Sequence, residues 1–361
     1  MRRIDMKKRI LALIMVTLSL SLTACDNSNK ETSSVYEISL GSDYGDSDEK
    51  SLSFFAMDTY MNFKAYGENA KAAVNEASTL VENLEKKLSV TNPESEISKI
   101  NSSTNNAVKV SEDTLTLIST ALDVNKKSEG AFDITIYPIV KLWGFTTGKY
   151  KVPSKEEISE NLEFVDSSKI TLDEKSSTVT VPKNIEIDLG GIAKGYAGKK
   201  AAEKIRSMGI ESALLNLGGN IQTIGSKPDG SAWGVSICNP EDSSKQLCRI
   251  EVVDKAVVTS GGYQRYFEEN GKSYHHIIDP KSGYPAENGL ISVTVVDEDG
   301  MLCDALSTTL FVLGKDKALE YCKKYNIEAI LISDDKKIYV TDELKESFSI
   351  IDQTLGYSLA E

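Results

Sequence analysis

The chain is poor in the residues that most often build metal and redox sites. Its 361 residues include five cysteines and two histidines, and no Cys-x-x-Cys pair occurs. Zinc sites and thioredoxin-like sites usually need closely spaced cysteines or histidines, so neither kind of site is indicated. Cys238 and Cys248 flank a predicted hairpin loop and either form a disulfide or remain free. Cys303 and Cys322 are expected to be small buried residues.

Basic residues are scarce outside the start of the chain. The net charge is −13, and the first 24 residues hold five basic residues and one acidic residue, so the remainder carries −17. So acidic a chain argues against a nucleic-acid partner and against a basic membrane-binding face. A small phosphorylated substrate stays compatible with this charge, because a metal ion and a local lysine suffice to hold it.

The apolar run over residues 10–22 is too short to count as a transmembrane helix. It follows a basic segment, which is typical of a signal peptide. Leu22-Thr23-Ala24-Cys25 then matches a bacterial lipobox, in which the cysteine is acylated and becomes the first residue. We therefore predict a lipoprotein signal peptide over residues 1–24, a lipidated Cys25 and a polar, flexible tether over residues 25–52. The predicted location is the extracytoplasmic face of the cell membrane.

Helical and strand-like patterns are mixed from residue 53 to the end of the chain. Apolar spacing predicts helices over residues 69–88, 111–130, 196–208 and 316–325. Alternation predicts strands over residues 54–63, 185–189, 213–217, 233–238, 247–253 and 290–296, and a hairpin over residues 170–181 around Asp173–Ser177. These elements do not form a regular βαβ series. We therefore predict an α+β fold with mixed, largely antiparallel sheets and flanking helices, in one domain over residues 53–361.

The segment from Cys303 to Leu310 contains the candidate for a metal site. It begins an apolar run that ends at Gly314, which predicts a largely buried helix. Asp304 and Thr308 are four residues apart, so they lie on one face of that helix. A carboxylate beside a hydroxyl offers the hard oxygen ligands that Mg²⁺ prefers. The alternative is that Asp304 is a helix N-cap and Thr308 an ordinary packed residue.

Two further motifs contain residue types used in phosphate chemistry. In Asp188-Leu189-Gly190-Gly191-Ile192-Ala193-Lys194-Gly195, a predicted strand runs into a glycine turn before a helix. Such glycines let the backbone approach a ligand, and a helix N-terminus with a lysine favours an anion. The second motif contains both histidines, His275 and His276, before a polar turn. Histidine is the usual proton carrier near neutral pH, and the alternative is that both are ordinary, partly exposed strand residues.

Four ordered stretches resemble the ApbE family of flavin transferases. They are Gly130-Ala131-Phe132-Asp133-Ile134-Thr135 with Leu142-Trp143-Gly144-Phe145; the Asp188–Gly195 motif; Thr259-Ser260-Gly261 through His276-Ile277-Ile278-Asp279-Pro280; and Asp304-Ala305-Leu306-Ser307-Thr308. The resemblance extends from about residue 53 to about residue 345. It implies an ApbE-like, T-fold-related catalytic domain.

The resemblance implies a reaction with FAD as substrate and Mg²⁺ as cofactor. The FAD pyrophosphate is cleaved, FMN is joined by a phosphoester bond to a threonine of an acceptor flavoprotein, and AMP leaves. The acceptor signature in the family is roughly Asp-x-x-Ser/Thr-Gly/Ala-Thr. Residues 304–309 come near it, but Thr308 replaces the small residue and the segment is predicted to be buried. The acceptor is therefore predicted to be a different protein.

Two other functions are also compatible with the sequence. One is a metal-dependent FAD pyrophosphatase, in which water replaces the threonine and the products are FMN and AMP. The other is a non-catalytic, lipid-anchored protein that binds a flavin or another solute. Analysis of FAD after incubation with the protein, with and without EDTA, separates catalysis from binding, because intact FAD in both samples indicates binding alone.

The resemblance also implies roles for single residues. Asp304 and Thr308 match metal ligands, and Gly191 matches a position that gives its backbone carbonyl to the same metal. His276, Asp188 and Lys194 match positions close to the chemistry, and His276 or a site carboxylate is the candidate base. Positions that match FAD contacts are Met57, Thr91, Ala131, Phe132, Asp133, Asp188, Lys194 and Ile278.

The sequence departs from the family pattern at two positions. Thr91 stands where many members have an aromatic residue, and Gly262 stands where an acidic residue is common. A flavin stacking partner is therefore predicted to be missing or to come from elsewhere in the chain. Three of the implied contacts also have ordinary structural interpretations, because Met57 and Phe132 suit a hydrophobic core and Asp133 suits the cap of a turn.

Overall fold

The structure is a computed structural model that describes residues 48–360. The predicted signal peptide, the lipidated Cys25 and most of the predicted tether lie outside these residues. No helix within residues 48–360 is long and apolar enough to cross a membrane.

Helices and strands alternate irregularly along the described chain. The helices are α1 (Ala70–Leu88), α2 (Glu96–Ser102), α3 (Glu112–Lys127), α4 (Tyr137–Leu142), α5 (Lys155–Leu162), α6 (Ala193–Ser207), α7 (Gly300–Leu313) and α8 (Lys315–Tyr325). The strands are β1 (Glu49–Ala56), β2 (Thr59–Tyr66), β3 (Val108–Lys109), β4 (Thr171–Asp173), β5 (Thr178–Thr180), β6 (Ser212–Asn216), β7 (Asn220–Ile224), β8 (Trp233–Asn239), β9 (Asp242–Val252), β10 (Ala256–Gly261), β11 (Tyr266–Glu269), β12 (Lys272–His275), β13 (Leu290–Asp297), β14 (Glu328–Ser333), β15 (Lys337–Val340), β16 (Phe348–Ile350) and β17 (Ser358–Leu359).

A nine-stranded sheet in the order β1-β2-β6-β7-β10-β13-β14-β15-β17 forms the centre of the described domain. Its pairs are antiparallel except for β15 and β17, which run parallel. The predicted α+β class with largely antiparallel sheet is confirmed. Successive side chains of a strand point to opposite faces. Both faces of this sheet are covered, which explains why its middle strands are almost wholly buried.

Helices cover one face of this sheet and a small sheet covers the other. Ala256 and Val258 of β10 pack in a cluster with Cys303 and Leu310 of α7. Val257, between them, packs instead in a cluster with residues of β8 and β9, which belong to the three-stranded sheet β16-β9-β8. The site described below lies on the helical side, where α6 and α7 meet.

Two predicted helix starts are confirmed by their caps. The Ser111 hydroxyl accepts a hydrogen bond from the Thr114 amide at the start of α3. At α5, Ser154 and Glu157 form a capping box, in which each side chain accepts from the backbone N–H of the other residue. These signals are local, so they are readable from sequence alone.

The first predicted strand, residues 54–63, is wrong, because it is a hairpin of β1 and β2. Met57 and Asp58 form its turn at φ 50° and 58°, and two successive left-handed residues are typical of a tight hairpin turn. Strand β1 also begins at Glu49, before the predicted domain boundary at residue 53. The Glu49 carboxylate accepts a hydrogen bond from the Tyr66 hydroxyl (2.7 Å) and pairs with Lys64 (3.0 Å). Cross-strand polar contacts hold this segment, which by composition resembles a tether.

The predicted strand over residues 185–189 is also wrong, because this segment is extended but pairs with no strand in the described structure. Asn101 of α2 takes the place of a neighbouring strand. Its amide donates to the Ile187 carbonyl (2.9 Å), and its Oδ1 accepts from the Ile187 N–H (2.8 Å). The Asp188 N–H donates to the Ile134 carbonyl (2.8 Å). The segment that leads to the glycine turn is thus fixed from both sides.

The disulfide considered for Cys238 and Cys248 is not formed, and both are free buried thiols. Cys248 lies opposite Ile237 in the β8–β9 pair, whereas Cys238 lies opposite Gln246, beside an irregularity of the register. The two cysteines are therefore offset along the strands. Cys303 and Cys322 are buried free thiols, as expected.

Candidate active site

The site is built where α6 crosses α7 at two glycines. Helix α6 begins at Ala193, earlier than the predicted start at residue 196, so the glycine turn runs directly into it. A Cβ atom on Gly195 would lie 2.0 Å from the carbonyl oxygen of Gly300 and 2.6 Å from Cβ of Asp304. Backbone therefore touches backbone at this crossing, and only glycine fits at position 195.

Asp304 lies in this crossing and is 5% exposed. The alternative in which Asp304 caps the helix is wrong. Asp299 is the N-cap of α7, and its carboxylate accepts from the Met301 amide (3.0 Å). Asp304 instead accepts from the Gly195 N–H (2.8 Å), which belongs to the first turn of α6. Burial raises the pKa of Asp304, and the charge of Lys194 and the Gly195 N–H oppose that rise.

Thr308 lies one turn further along α7 and is half-buried. Its hydroxyl is 3.2 Å from the Ser260 hydroxyl at the end of β10. A Cβ atom on Gly191 would lie 4.0 Å from Oγ1 of Thr308 and 3.0 Å from the ring of Phe132. The structure thus brings Gly191, Asp304 and Thr308 together, although they come from two distant motifs.

The donor set of this site fits a hard cation. It offers a carboxylate, a hydroxyl and a backbone segment with its carbonyl, all oxygen ligands of the kind that suits Mg²⁺. Within residues 48–360 there is no group of three or more His, Cys, Asp or Glu side chains that would hold a metal without help. A cation at Asp304 therefore needs water or a phosphate for its remaining positions, as Mg²⁺ commonly does.

Lys194 and Asp188 flank this candidate cation site. Burial raises the pKa of Asp188. Two effects oppose this rise: the Gly190 N–H donates to the Asp188 carboxylate (3.1 Å), and Lys194 carries a positive charge nearby. The Lys194 charge also acts on Asp304 and on His276, so its ammonium lies among these groups. The Lys194 ammonium forms no ion pair or side-chain hydrogen bond within the described chain. It is therefore available to bind an anion at the start of α6.

His276 faces the same groups from the other motif. Its backbone N–H and its Nδ1 both lie 3.1 Å from the Arg265 carbonyl oxygen. A carbonyl only accepts, so Nδ1 carries the proton and Nε2 keeps a free lone pair. Burial, with the charges of Arg265 and Lys194, lowers the pKa of His276 to about 3. The imidazole is therefore neutral near pH 7 and able to accept a proton at Nε2.

We expect the His276 imidazole to remain neutral well below the usual range of histidine titration. Its pKa of about 3 lies below the ordinary 6.5, so the unfolded chain binds the proton more readily than the folded chain. His276 therefore stabilises the fold above about pH 6.5, and this contribution is lost as the pH falls toward 3. Side-chain ¹⁵N NMR against pH measures the titration directly, and a His275→Gln variant assigns the signals. Titration of His276 near pH 6.5 would contradict the described environment.

Two of the predicted FAD-contact residues support the glycine turn. Phe132 is 5% exposed, and its ring touches Gly191, while Ala131 is buried beside it. Asp133 caps a short 3₁₀ turn through the Thr135 amide (2.8 Å). It also accepts from Asn125, from Ser167 and from the Thr135 hydroxyl. Its carboxylate is thus largely occupied by internal hydrogen bonds, which agrees with the alternative interpretation as a turn cap.

The other predicted FAD contacts are more scattered. Met57 is half-buried in the β1–β2 turn and packs on the main core. Ile278 is buried in a separate cluster with Trp143 and Phe145. Thr91 is exposed, and its hydroxyl lies 3.0 Å from that of Ser89. No contact in the described structure joins Thr91 to the other site residues, so it remains a prediction from the resemblance alone.

Sequence reasoning missed two residues that shape the site. Ser260 lies in a quoted motif, but nothing local shows that its hydroxyl reaches both Ser307 (2.8 Å) and Thr308 (3.2 Å). Arg265 lies inside the stretch from Thr259 through Pro280; its charge lowers the pKa of His276 and opposes the rise that burial causes in the pKa of Asp188. The sequence did offer a signal for Arg265: it is a basic residue in a strongly acidic chain, a few positions after the Ser260 segment.

These observations define a class of protein: an α+β domain with a cluster of oxygen ligands beside a lysine, a glycine turn and a neutral histidine. The chain belongs to the ApbE family, whose sequence profile matches residues 57–331. The predicted family is thus confirmed.

Similar proteins cover almost the whole chain. It is 34% identical over 350 residues to the FAD:protein FMN transferase of Haemophilus influenzae, which covers 93% of this chain and 96% of that protein. It is 33% identical over 321 residues to a FAD:protein FMN transferase of Klebsiella pneumoniae, covering 87% of this chain and 99% of that protein.

Two solved structures share the fold. The ApbE protein of Thermotoga maritima superposes with a TM-score of 0.79 at 34% identity, over 83% of this chain and 99% of that one. The flavin transferase ApbE of Vibrio cholerae gives 0.73 at 31% identity, over 84% of this chain and 96% of that one.

Proposed function

We propose that this protein is a Mg²⁺-dependent FAD:protein FMN transferase that attaches FMN to a threonine of an acceptor flavoprotein. One observation carries the proposal: the 2.8 Å hydrogen bond from the Gly195 N–H to Asp304 joins the glycine turn to the oxygen ligands of α7. Relatives that match most of this chain are named FAD:protein FMN transferases, which supports the same reaction here.

Asp304, Thr308 and the Gly191 carbonyl would hold Mg²⁺, and a bound Mg²⁺ supplies positive charge that offsets the charge of the pyrophosphate. Lys194 binds a phosphate oxygen and adds a second positive charge. These groups also fix the phosphorus atom in line with the incoming hydroxyl, which is the main requirement of phosphoryl transfer.

His276 is the proposed base. The acceptor threonine oxygen forms a bond to the phosphorus of the FMN half, and its proton passes to Nε2 of His276. The bond from that phosphorus to the bridging oxygen breaks, and AMP leaves with the electron pair. Because Arg265 and Lys194 lower the pKa of His276, neutralisation of these cations by the bound pyrophosphate makes His276 a stronger base when substrate is present.

The acceptor threonine is proposed to belong to another protein. Thr309, at the end of the segment that resembles the acceptor signature, is 0% exposed, and its hydroxyl donates to the Ala305 carbonyl (2.7 Å). This supports an acceptor with its own Asp-x-x-Ser/Thr-Gly/Ala-Thr motif. We also propose, from the lipobox alone, that Cys25 anchors the protein at the extracytoplasmic face of the membrane, where it would meet such acceptors.

The proposal predicts covalent flavinylation in vitro. Purified protein with FAD, MgCl₂ and a flavoprotein carrying the acceptor motif should give a fluorescent acceptor band that survives denaturation, with one AMP released for each FMN attached. An acceptor with its motif threonine changed to valine is the matched control. AMP release without a band for any such acceptor would favour the FAD pyrophosphatase, and intact FAD with and without EDTA would favour binding alone.

A further inference from the structure

Arg265 lies beside the site and is fixed there by its backbone. It occupies the link between β10 and β11. Its carbonyl oxygen accepts from both the backbone N–H and Nδ1 of His276, each at 3.1 Å. The position of Arg265 relative to the His276 ring is therefore set by two hydrogen bonds rather than by loop packing alone.

The guanidinium of Arg265 is held by the Leu142–Phe145 stretch, a motif that has no role in the proposed mechanism. Nη2 of Arg265 donates to the Phe145 carbonyl oxygen. Phe145 is 1% exposed, and its ring lies 6.3 Å from that of His276 and 5.8 Å from that of Phe267. This buried aromatic support holds the guanidinium on the same side as His276.

Within residues 48–360, the guanidinium of Arg265 donates to the Phe145 carbonyl alone. A guanidinium carries several N–H donors in a planar fork, and the Phe145 carbonyl takes only part of them. No carboxylate of the described residues forms an ion pair with Arg265. The side chain is at least partly exposed to solvent. A preorganised fork without a carboxylate partner is suited to bidentate binding of a phosphate.

Arg265 and Lys194 act on the same two groups. Both charges lower the pKa of His276, and both oppose the rise that burial causes in the pKa of Asp188. They come from different walls of the site, because Lys194 starts α6 and Arg265 precedes β11. Two cations from different elements, both close enough to act on the same histidine, match a ligand with two neighbouring phosphate groups better than a ligand with one.

We propose that Arg265 is a substrate-binding residue that holds one phosphate of a diphosphate ester, while Lys194 holds the other. This proposal rests on the proposed function, since FAD is such an ester. It means that Arg265 distinguishes a dinucleotide from a flavin without a diphosphate. The Leu142–Phe145 stretch then orients the guanidinium of Arg265.

Binding measurements without metal test this role. Fluorescence titrations in EDTA compare FAD with riboflavin, and calorimetry with ADP probes the diphosphate alone. Arg265→Gln should weaken the binding of FAD and of ADP about tenfold or more, because the diphosphate loses a charged contact. The affinity for riboflavin, which has no diphosphate, should change by less than about twofold. Arg265→Lys keeps the positive charge but lacks the planar guanidinium, so its affinity for FAD should fall about threefold. Arg206→Gln, which removes an exposed pair with Asp254 (2.8 Å), is the matched control and should change nothing.

Two outcomes would overturn the role of Arg265: unchanged FAD affinity in Arg265→Gln, or equal loss for FAD and riboflavin. Unfolding temperatures of all variants are measured alongside. If Arg265→Gln does not fold, the ratio of FAD to riboflavin affinity in Arg265→Lys decides, and an unchanged ratio counts against the proposal. A protein that shows the Arg265-dependent difference in binding but transfers no FMN would overturn the proposed function alone.

Discussion

Asp304→Asn is expected to reduce Mg²⁺-dependent FMN transfer by about a thousandfold, the scale typical of losing one electrostatic contact to the transition state. The substitution keeps the shape of the side chain, and its amide oxygen still accepts from the Gly195 N–H, which Asp304 bonds at 2.8 Å. The substitution removes the negative charge that would attract the cation and turns one carboxylate oxygen into an NH2 donor. Initial rates at increasing MgCl₂ measure the effect, and higher MgCl₂ should not restore the rate.

The same variant should unfold at an equal or higher temperature than the unmodified protein in the absence of metal. Burial raises the pKa of Asp304 above its unfolded value, so ionisation destabilises the fold as the pH rises through that interval. Asparagine removes this cost. Asp299→Asn on the same helix is the control: asparagine also caps helices well, so the rate should hold, and stability should fall only by the loss of the partly exposed ion pair with Lys199 (2.6 Å). Full Mg²⁺-dependent activity in Asp304→Asn would refute the assignment of the cation site.

Gly195→Ala is expected to destabilise the domain by about 3 kcal/mol and to abolish transfer. The added methyl would stand 2.0 Å from the Gly300 carbonyl oxygen and 2.6 Å from Cβ of Asp304. Neither is the flexible end of a side chain, so α6 and α7 have to move apart. That movement breaks the Gly195 contact with Asp304 and displaces the candidate ligands. Denaturant unfolding gives the change in the free energy of unfolding.

Gly198→Ala on the same helix provides the comparison. Its methyl would meet Cδ1 of Leu217 at 3.3 Å, a side-chain atom that moves by a small rotation. Replacing a glycine in a helix interior by alanine otherwise gains about 1 kcal/mol. Gly198→Ala should therefore be neutral or stabilising and should keep its activity. A similar loss of stability in both variants would show that the Gly195 crossing is not the source of the effect.

The sequence was sufficient where the structural cause is local. Asp304 and Thr308 share a face because residues four apart in any helix do so. The helix starts at Ser111 and Ser154 follow from side chains that cap their own neighbours. The set of candidate residues was recognisable because the four motifs appear in order, although each motif alone is modest.

The parts that could not be predicted depend on contacts between distant segments. Alternation over residues 185–189 suggested a strand, but the partner is the side chain of Asn101. The turn at Met57 and Asp58 has no glycine or asparagine to mark it. Periodicity also does not reveal that Arg265 bonds the Phe145 carbonyl, because those residues are 120 positions apart.

The hydrogen bond between Gly195 and Asp304 joins residues 109 positions apart. Closing so large a loop costs chain entropy, and contacts of this range tend to form late in folding. A nascent chain that has completed the glycine turn but not α7 therefore has neither the carboxylate nor the hydroxyl of the site. The proposed cation site is therefore complete only after the C-terminal half of the described domain has docked.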